Sequence, residues 1–326
     1  MTPLAKERGA ALLTVLLLVA VMSVVAAAGL ERLTLATRLA ANSGALDQAR
    51  AFALAAETIS IARIGDLKDR DKAKTTLHGD WHGRTTRLPI PGGIATSRVT
   101  DGGNCFNLNS VVAGDDPEKL RVRPVAVSQF TALMEVLGIA PRDAATVAAA
   151  LADWIDSDSL PQPGGAEDEY YTQYARPYRA ANRLMMDASE LRAVAGVSPQ
   201  LYATVRPWIC ALPVTDLSPI NVNTLAPEQA PLVAMLIPGQ LTIERARQML
   251  AQRPAGGYGS TVAFWNLATR EDLSPGLAGT QIKLTTRFFR IDIMVELGDA
   301  EVTEQALVDT EELPARLIRR QWGETG

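Results

Sequence analysis

The sequence predicts an α+β fold in which a long N-terminal helix packs on a small antiparallel sheet and a large helical insertion interrupts that sheet. Three observations carry the prediction. No proline occurs between Leu33 and Leu88, behind an uncharged run of 21 residues at 10–30. Near the other end Phe289, Ile291, Ile293, Val295 and Leu297 alternate with Arg290, Asp292 and Glu296, the period of a strand with one buried face. Between them lies a long section whose apolar residues recur at helical spacing.

The first element is the uncharged run. It has about the length an α-helix needs to span ~30 Å of hydrocarbon. A secretory h-region is shorter, about 7–15 residues, although Ala26-Ala27-Ala28 supplies an A-x-A cleavage pattern. The residues behind the run decide for retention. Leu35, Leu39, Leu46, Leu54 and Ile61 recur on one helical stripe, so the helix continues beyond the membrane as an amphipathic rod, with Gly44 as a weak point and Gly65 as its end. A signal peptide is not built unbroken into the domain behind it. Lys6 and Arg8 hold the N-terminus in the cytoplasm by the positive-inside bias and send the remainder across.

Residues 68–87 are crowded with charge and read as a solvated loop. The chain's two histidines, His78 and His82, fall there, but Gly79 and Gly83 oppose a helix and no third ligand or general base accompanies them, which argues against a zinc site. Residues 89–101 read as a turn into a short strand, and Gly298-Asp299 turns the alternating strand into a hairpin with 301–308. Two stretches, Asn107-Leu108-Asn109-Ser110 and Asn221-Val222-Asn223-Thr224, repeat the order Asn-apolar-Asn-hydroxyl ahead of helical segments, where such side chains cap backbone N–H groups. Helix pairs are expected at 130–136 with 143–155, 189–191 with 200–208, and 232–236 with 244–250. Helix-hairpin-helix modules that grip DNA backbones share this style. Here the turn Gly196-Val197-Ser198-Pro199-Gln200 offers phosphate no basic residue, and its proline lacks a donor.

The densest chemistry is DWIDSDSLPQPGGAEDEYYTQYARPYRAANRL, residues 153–184, where Asp153, Asp156, Asp158, Glu167, Asp168 and Glu169 fall within 17 positions. Carboxylates so dense repel one another in a folded loop unless a cation intervenes, and hard divalent ions with oxygen ligands are the natural partners. Asp156, Asp158 and Glu167 occupy the spacing of EF-hand positions 1, 3 and 12, but Pro161 stands where that loop's sharp turn requires glycine, so this is not an EF-hand. Tyr170, Tyr171, Tyr174 and Tyr178 beside the acids mark a loop that packs rather than a solvated acidic tail.

With 326 residues and a formal net charge of -4, the chain has room for two or three units and no global basic field to draw nucleic acid. Cys105 and Cys210 suit an oxidising compartment, either as one disulfide or as two buried thiols, because sequence spacing does not show whether their Cα atoms approach. No serine nucleophile elbow or phosphate-cradling glycine loop is present. The rival classes are a membrane-anchored hydrolase using Asp156 and Glu167 as acid and base, and a membrane-anchored periplasmic DNA-binding protein.

These features together resemble the type IV pilin-like proteins and, within them, the minor pseudopilin K family of type II secretion systems. The resemblance rests on the basic leader ending Lys6-Glu7-Arg8-Gly9, the apolar opening Ala10-Ala11-Leu12-Leu13-Thr14, the two Asn-x-Asn stretches, and the pattern running through Asp153, Asp156 and Asp158, then Gly165-Ala166-Glu167-Asp168, then Asn182. It implies a pilin-like fold, no enzymatic activity, and cleavage between Gly9 and Ala10 by prepilin peptidase followed by N-methylation. It also implies a single-pass anchor in the bacterial inner membrane with the C-terminal domain in the periplasm. Two structural calcium ions are implied, with Asp156, Asp158, Glu167, Asp168 and Asn182 as ligands. The implied place is the tip of the pseudopilus, in complex with minor pseudopilins I and J, with minor pseudopilin H and the major pseudopilin G as further filament partners, in support of protein export.

One departure from the pilin-like pattern is informative: most such subunits carry Glu at the fifth mature position, where this chain has Thr14. A glutamate among packed apolar helices is costly unless paired, and a subunit with none above it has no amine to neutralise. The resulting layout is a leader at 1–9, a membrane segment at 10–30, a first pilin-like part at 31–106, a helical insertion with the calcium loop at 107–214, a second small helical part at 215–275, and a second pilin-like part at 276–326.

Overall fold

The computed structural model describes residues 6–267, 276 and 278–323. Its first element, α1 (Lys6–Arg70), is a single unbroken helix. Neither Gly44 nor Gly65 ends it, because a helical glycine costs only about 1 kcal/mol relative to alanine. Residues 10–44 of α1 are exposed throughout, and this is the one helix among the described residues long and apolar enough to cross a membrane. Residues 1–5 of the leader lie outside the described residues, while the Gly9–Ala10 bond falls inside α1.

The C-terminal half of α1 lies across a five-stranded antiparallel sheet, in spatial order β1 (Thr85–Ile90), β2 (Gly93–Asp101), β3 (Phe288–Leu297), β4 (Ala300–Asp309) and β5 (Arg316–Trp322). The stripe that meets the sheet coincides only in part with the one read from the sequence: Leu46 and Ile61 pack half-buried against the sheet core. Ala49, Ala53, Ala56, Ser60 and Ile64 are buried there, against Phe289, Ile291, Ile293 and Val295, while Leu35, Leu39 and Leu54 face outward. Small side chains let the helix axis approach the sheet closely, and the Ser60 and Ser97 hydroxyls meet at 2.7 Å. The β3–β4 hairpin turns at Gly298, at a φ of 57°.

Two strands escaped the sequence reading. β1 straddles the end of the stretch read as loop and the start of the turn read at 89, and it carries Pro89, which an edge strand tolerates. β5, the opposite edge, is RLIRRQW and shows no clean alternation because most of it stays exposed.

The insertion leaves the sheet after β2 and returns at β3. It is built as two units, each opened by a two-residue strand with a parallel partner: Phe106–Asn107 pairs with Ile209–Cys210, and Ile220–Asn221 with Ile282–Lys283. The second unit therefore runs past residue 275, where the sequence layout placed its end, and the sheet resumes at Phe288. The first unit holds α2 (Pro124–Val136), α3 (Pro141–Ile155), α4 (Asp168–Tyr171) and α5 (Pro199–Val205); the second holds α6 (Pro231–Ala234), α7 (Ile243–Ala251), α8 (Thr261–Asn266) and α9 (Ala278–Gln281).

The repeated asparagines staple these units rather than merely capping helices. The Asn109 side chain pairs with the Met185 backbone as a peptide would, accepting its N–H at 2.8 Å and donating to its carbonyl at 2.9 Å. Asn223 does the same to Tyr258, at 2.6 and 3.2 Å.

Candidate metal centre

α3 is alanine-rich and buried along its whole last half, so its C-terminus carries Asp153 and Asp156 into the interior. Asp153 accepts the Gln162 N–H at 3.0 and 3.1 Å on its two oxygens, which folds the succeeding loop back on the helix end. Gly165 is required for that return, since a Cβ there would stand 1.9 Å from Asp153 Oδ2. The loop then delivers Glu167 to the helix end, and one oxygen each from Asp156, Asp158 and Glu167 fall within 4.8 Å of one another.

The trio lacks positive charge. Both oxygens of Asp156 and both of Glu167 are buried without a hydrogen-bond partner. Burial, then the charges of Asp158, Asp153 and Glu167, push the Asp156 carboxyl up to about 7. Burial, then Asp153, Asp158 and Asp168, push Glu167 to about 7 as well. Burying unpaired carboxylates costs several kcal/mol each. An all-oxygen donor set with orphaned, inward-facing lone pairs fits a hard divalent cation.

Of the five residues read as ligands, the structure gathers three. Asp168 begins α4, where its Oδ1 accepts the Ala180 N–H at 3.0 Å and its Oδ2 faces Arg179 at 3.5 Å. Asn182 is exposed at a φ of 45° and donates its backbone N–H to the Trp154 carbonyl at 3.0 Å. Asn182 thus ties the far side of the loop to the end of α3, while Asp168 ties the start of α4 to residues 179 and 180. The sequence reading gave Asp153 no role; its part as loop latch depends on a backbone partner nine residues away and on a glycine that only the folded loop explains.

The tyrosines pack as expected for an ordered loop. Buried Tyr171 sets its ring edge-on to Trp154 at 5.1 Å and accepts the Ala195 N–H at 3.2 Å, and Tyr178 lies 5.1 Å from Tyr171. At the base of the insertion a disulfide joins Cys105 to Cys210, with Cα atoms 5.8 Å apart. Far away on α1, Thr14 is exposed, its hydroxyl donating to the Ala11 carbonyl at 2.9 Å.

Comparison with known proteins agrees along the whole chain. Family models described as type II secretion system protein K match residues 104–214 and 220–285. A type II secretion system protein K from Pectobacterium carotovorum subsp. carotovorum is 33% identical over 323 residues, covering 98% of this chain and 97% of its own. One from Aeromonas hydrophila is 36% identical over 304 residues, covering 90% of each. The GspK-GspI-GspJ complex of the enterotoxigenic Escherichia coli type 2 secretion system contains a chain that matches with a TM-score of 0.75 at 27% identity, over 86% of this chain and 97% of that one. With a long helix on an antiparallel sheet, an insertion that carries an acidic centre, and relatives of one kind over nearly its full length, the chain belongs to the type II secretion system protein K family.

Proposed function

We propose that the chain caps the type II secretion pseudopilus as its tip minor pseudopilin, in complex with minor pseudopilins I and J. The observation that carries this is the division of α1. Its first half is bare and apolar, available to lipid and then to neighbouring helices, while its second half is committed to the sheet. In this reading the two-unit insertion adds bulk to the sheet-bearing end and blocks a further subunit above. Thr14 in place of the usual acid supports the same position, and so does the likeness to a chain of the GspK-GspI-GspJ complex. In this reading prepilin peptidase cuts between Gly9 and Ala10, the new amine is methylated, and the segment 10–30 crosses the inner membrane with the body in the periplasm. Minor pseudopilin H and the major pseudopilin G continue the filament below. The role is structural and needs no catalysis.

Calcium belongs to the same proposal. Asp156, Asp158 and Glu167 would hold an ion, with Asp168 and Asn182 ordering the loop beside it and serving a second. When bound, calcium supplies the positive charge that keeps the buried carboxylates ionised. The chain's own residues do the rest: Asp153 and Gly165 fix the loop's return, and Trp154 with Tyr171 seals it.

Co-purification with minor pseudopilins I and J tests the assembly. The expected result is a stoichiometric complex that carries calcium by metal analysis. A monodisperse, metal-free chain that ignores both partners would count against both parts of the proposal.

A further inference from the structure

β5 ends the strand order, and among the described residues no strand pairs with its outer side. Arg316, Leu317, Ile318, Arg320 and Trp322 are all exposed along it. The Gly323 N–H donates to the Thr303 carbonyl at 2.9 Å. By the alternation of an antiparallel ladder, the backbone groups of Arg320 and Trp322 therefore point away from β4 into solvent. The opposite edge, β1, carries Pro89, which obstructs pairing; β5 has no proline.

A bulge shapes this edge. Leu307 pairs with Arg319 but Val308 pairs with Leu317, so Ile318 is left over between them. Ile318 and Arg319 border a cavity of about 240 Å³ whose other wall is Leu184, Met186 and Pro213 of the first unit. Met186 and Pro213 are exposed and Leu184 is half-buried, so the wall can be reached from solvent. The lining is apolar apart from Arg319, whose guanidinium is already spent on the Met186 and Ala211 carbonyls. Around the same edge Met186, Leu313, Leu317, Ile318 and Trp322 are between 37% and 66% exposed. A seven-residue edge strand with so much apolar surface beside it is a pairing template.

We propose that β5 is a strand-addition site: an extended segment of a different protein pairs with its backbone at Arg320 and Trp322 and sets an aliphatic side chain in the cavity beside Ile318 and Met186. The backbone edge and the cavity together define that occupant. Ladder groups at strand spacing are matched by another extended backbone, and an apolar cavity on one side of the sheet selects alternate side chains of the added strand. A second copy of this chain fits poorly. Nearly every antiparallel register of β5 against itself sets arginine opposite arginine, Arg319 against Arg319 or against Arg320 among them, and like charges directly opposite are destabilising. The site lies apart from the acidic centre, and the inference does not depend on the tip assignment.

The test uses the full-length chain in detergent with calcium present. The probe is a fluorescent peptide of about eight residues that alternates leucine with threonine between terminal glutamates, the length of an ordinary strand. Two control peptides accompany it, one N-methylated along its backbone and one with serine in place of leucine. The expected result is saturable binding by anisotropy, with slower hydrogen exchange over residues 316–322. Each control should bind at least about tenfold more weakly, having lost the backbone bonds or the apolar side chains. Trp322→Pro removes one outward donor where an edge strand tolerates proline, and Met186→Ser removes an exposed wall of the cavity. Both should keep the parent's melting temperature and weaken the peptide at least about threefold, which separates binding from folding. Binding that leaves exchange over 316–322 unchanged, or controls that bind as tightly as the probe, would overturn the proposal. So would a chain that sediments as a dimer without peptide and already shields those amides, because the edge would then serve a second copy.

Discussion

Asn221 donates its backbone N–H to the side-chain oxygen of Asn104 at 2.8 Å, across the junction between the two units of the insertion. The mirror contact is present: Asn107 donates its backbone N–H to Ser218 Oγ, also at 2.8 Å. Asn104 and Ser218 each stand three residues before an Asn-x-Asn stretch, so each unit satisfies the first asparagine of the other. The four-residue echo in the sequence is thus the visible part of a reciprocal lock. Asn104→Ala leaves a buried N–H unpaired and also removes a donor to Thr224, and should cost about 2–3 kcal/mol in urea unfolding. Ser218→Ala removes one acceptor only and should cost about 1–2 kcal/mol.

The disulfide spans 105 residues and closes the first unit at its base. Constraining a loop of that length in the unfolded chain contributes up to about 4–5 kcal/mol in the chain-entropy model. Replacing both Cys105 and Cys210 by serine should lower the urea midpoint markedly. Reductant should shift the parent protein the same way and leave the double variant unmoved.

Where α1 crosses the sheet, two buried acids share one guanidinium. Arg320 donates to Glu57 at 2.7 and 2.9 Å and approaches Glu304 at 3.4 Å. Burial, then the neighbouring Glu57, push Glu304 up to about 8. Burial raises Glu57 too, but its hydrogen bonds to Arg320 and Glu304 outweigh this and hold it below the ordinary range. Glu304 therefore keeps its proton in the folded protein while the unfolded chain releases it near 4.5. Its contribution to stability falls as pH rises from about 4.5 to about 8, and the loss is then complete. Glu304→Gln, which imitates the protonated acid, should flatten that slope and be more stable than the parent at pH 9, by on the order of 2 kcal/mol or more. Denaturant midpoints across that range check it.

At the acidic centre, chelation should lower the melting temperature of the parent protein, because buried carboxylates lose their counter-charge. Asp156→Asn and Glu167→Gln should lower calcium affinity at least about tenfold by calorimetry, and chelator should barely move their melting temperatures. Asp153→Asn should weaken calcium less than either, since Asp153 latches the loop without joining the trio.

Legibility in the sequence followed how local each cause was. The long helix and the β3–β4 hairpin were readable because proline absence and strict alternation act within a few residues. The buried face of α1 was legible only in part: Leu46 and Ile61 do pack toward the sheet, but alanines, which permit close approach, make most of the fully buried contact. β5 was missed because an exposed edge strand has no reason to alternate. Asp156, Asp158 and Glu167 were legible as a dense acidic spacing. The Glu57–Arg320–Glu304 group was not, since its members lie on three elements and meet only after α1 docks.

The central claim is that this chain sits once, at one end of the pseudopilus, with its insertion outermost. Labelling purified pseudopili with a gold-conjugated antibody fragment raised against the insertion tests it directly by electron microscopy. The account predicts one particle per filament, at a single end. Particles spaced along the shaft would contradict it.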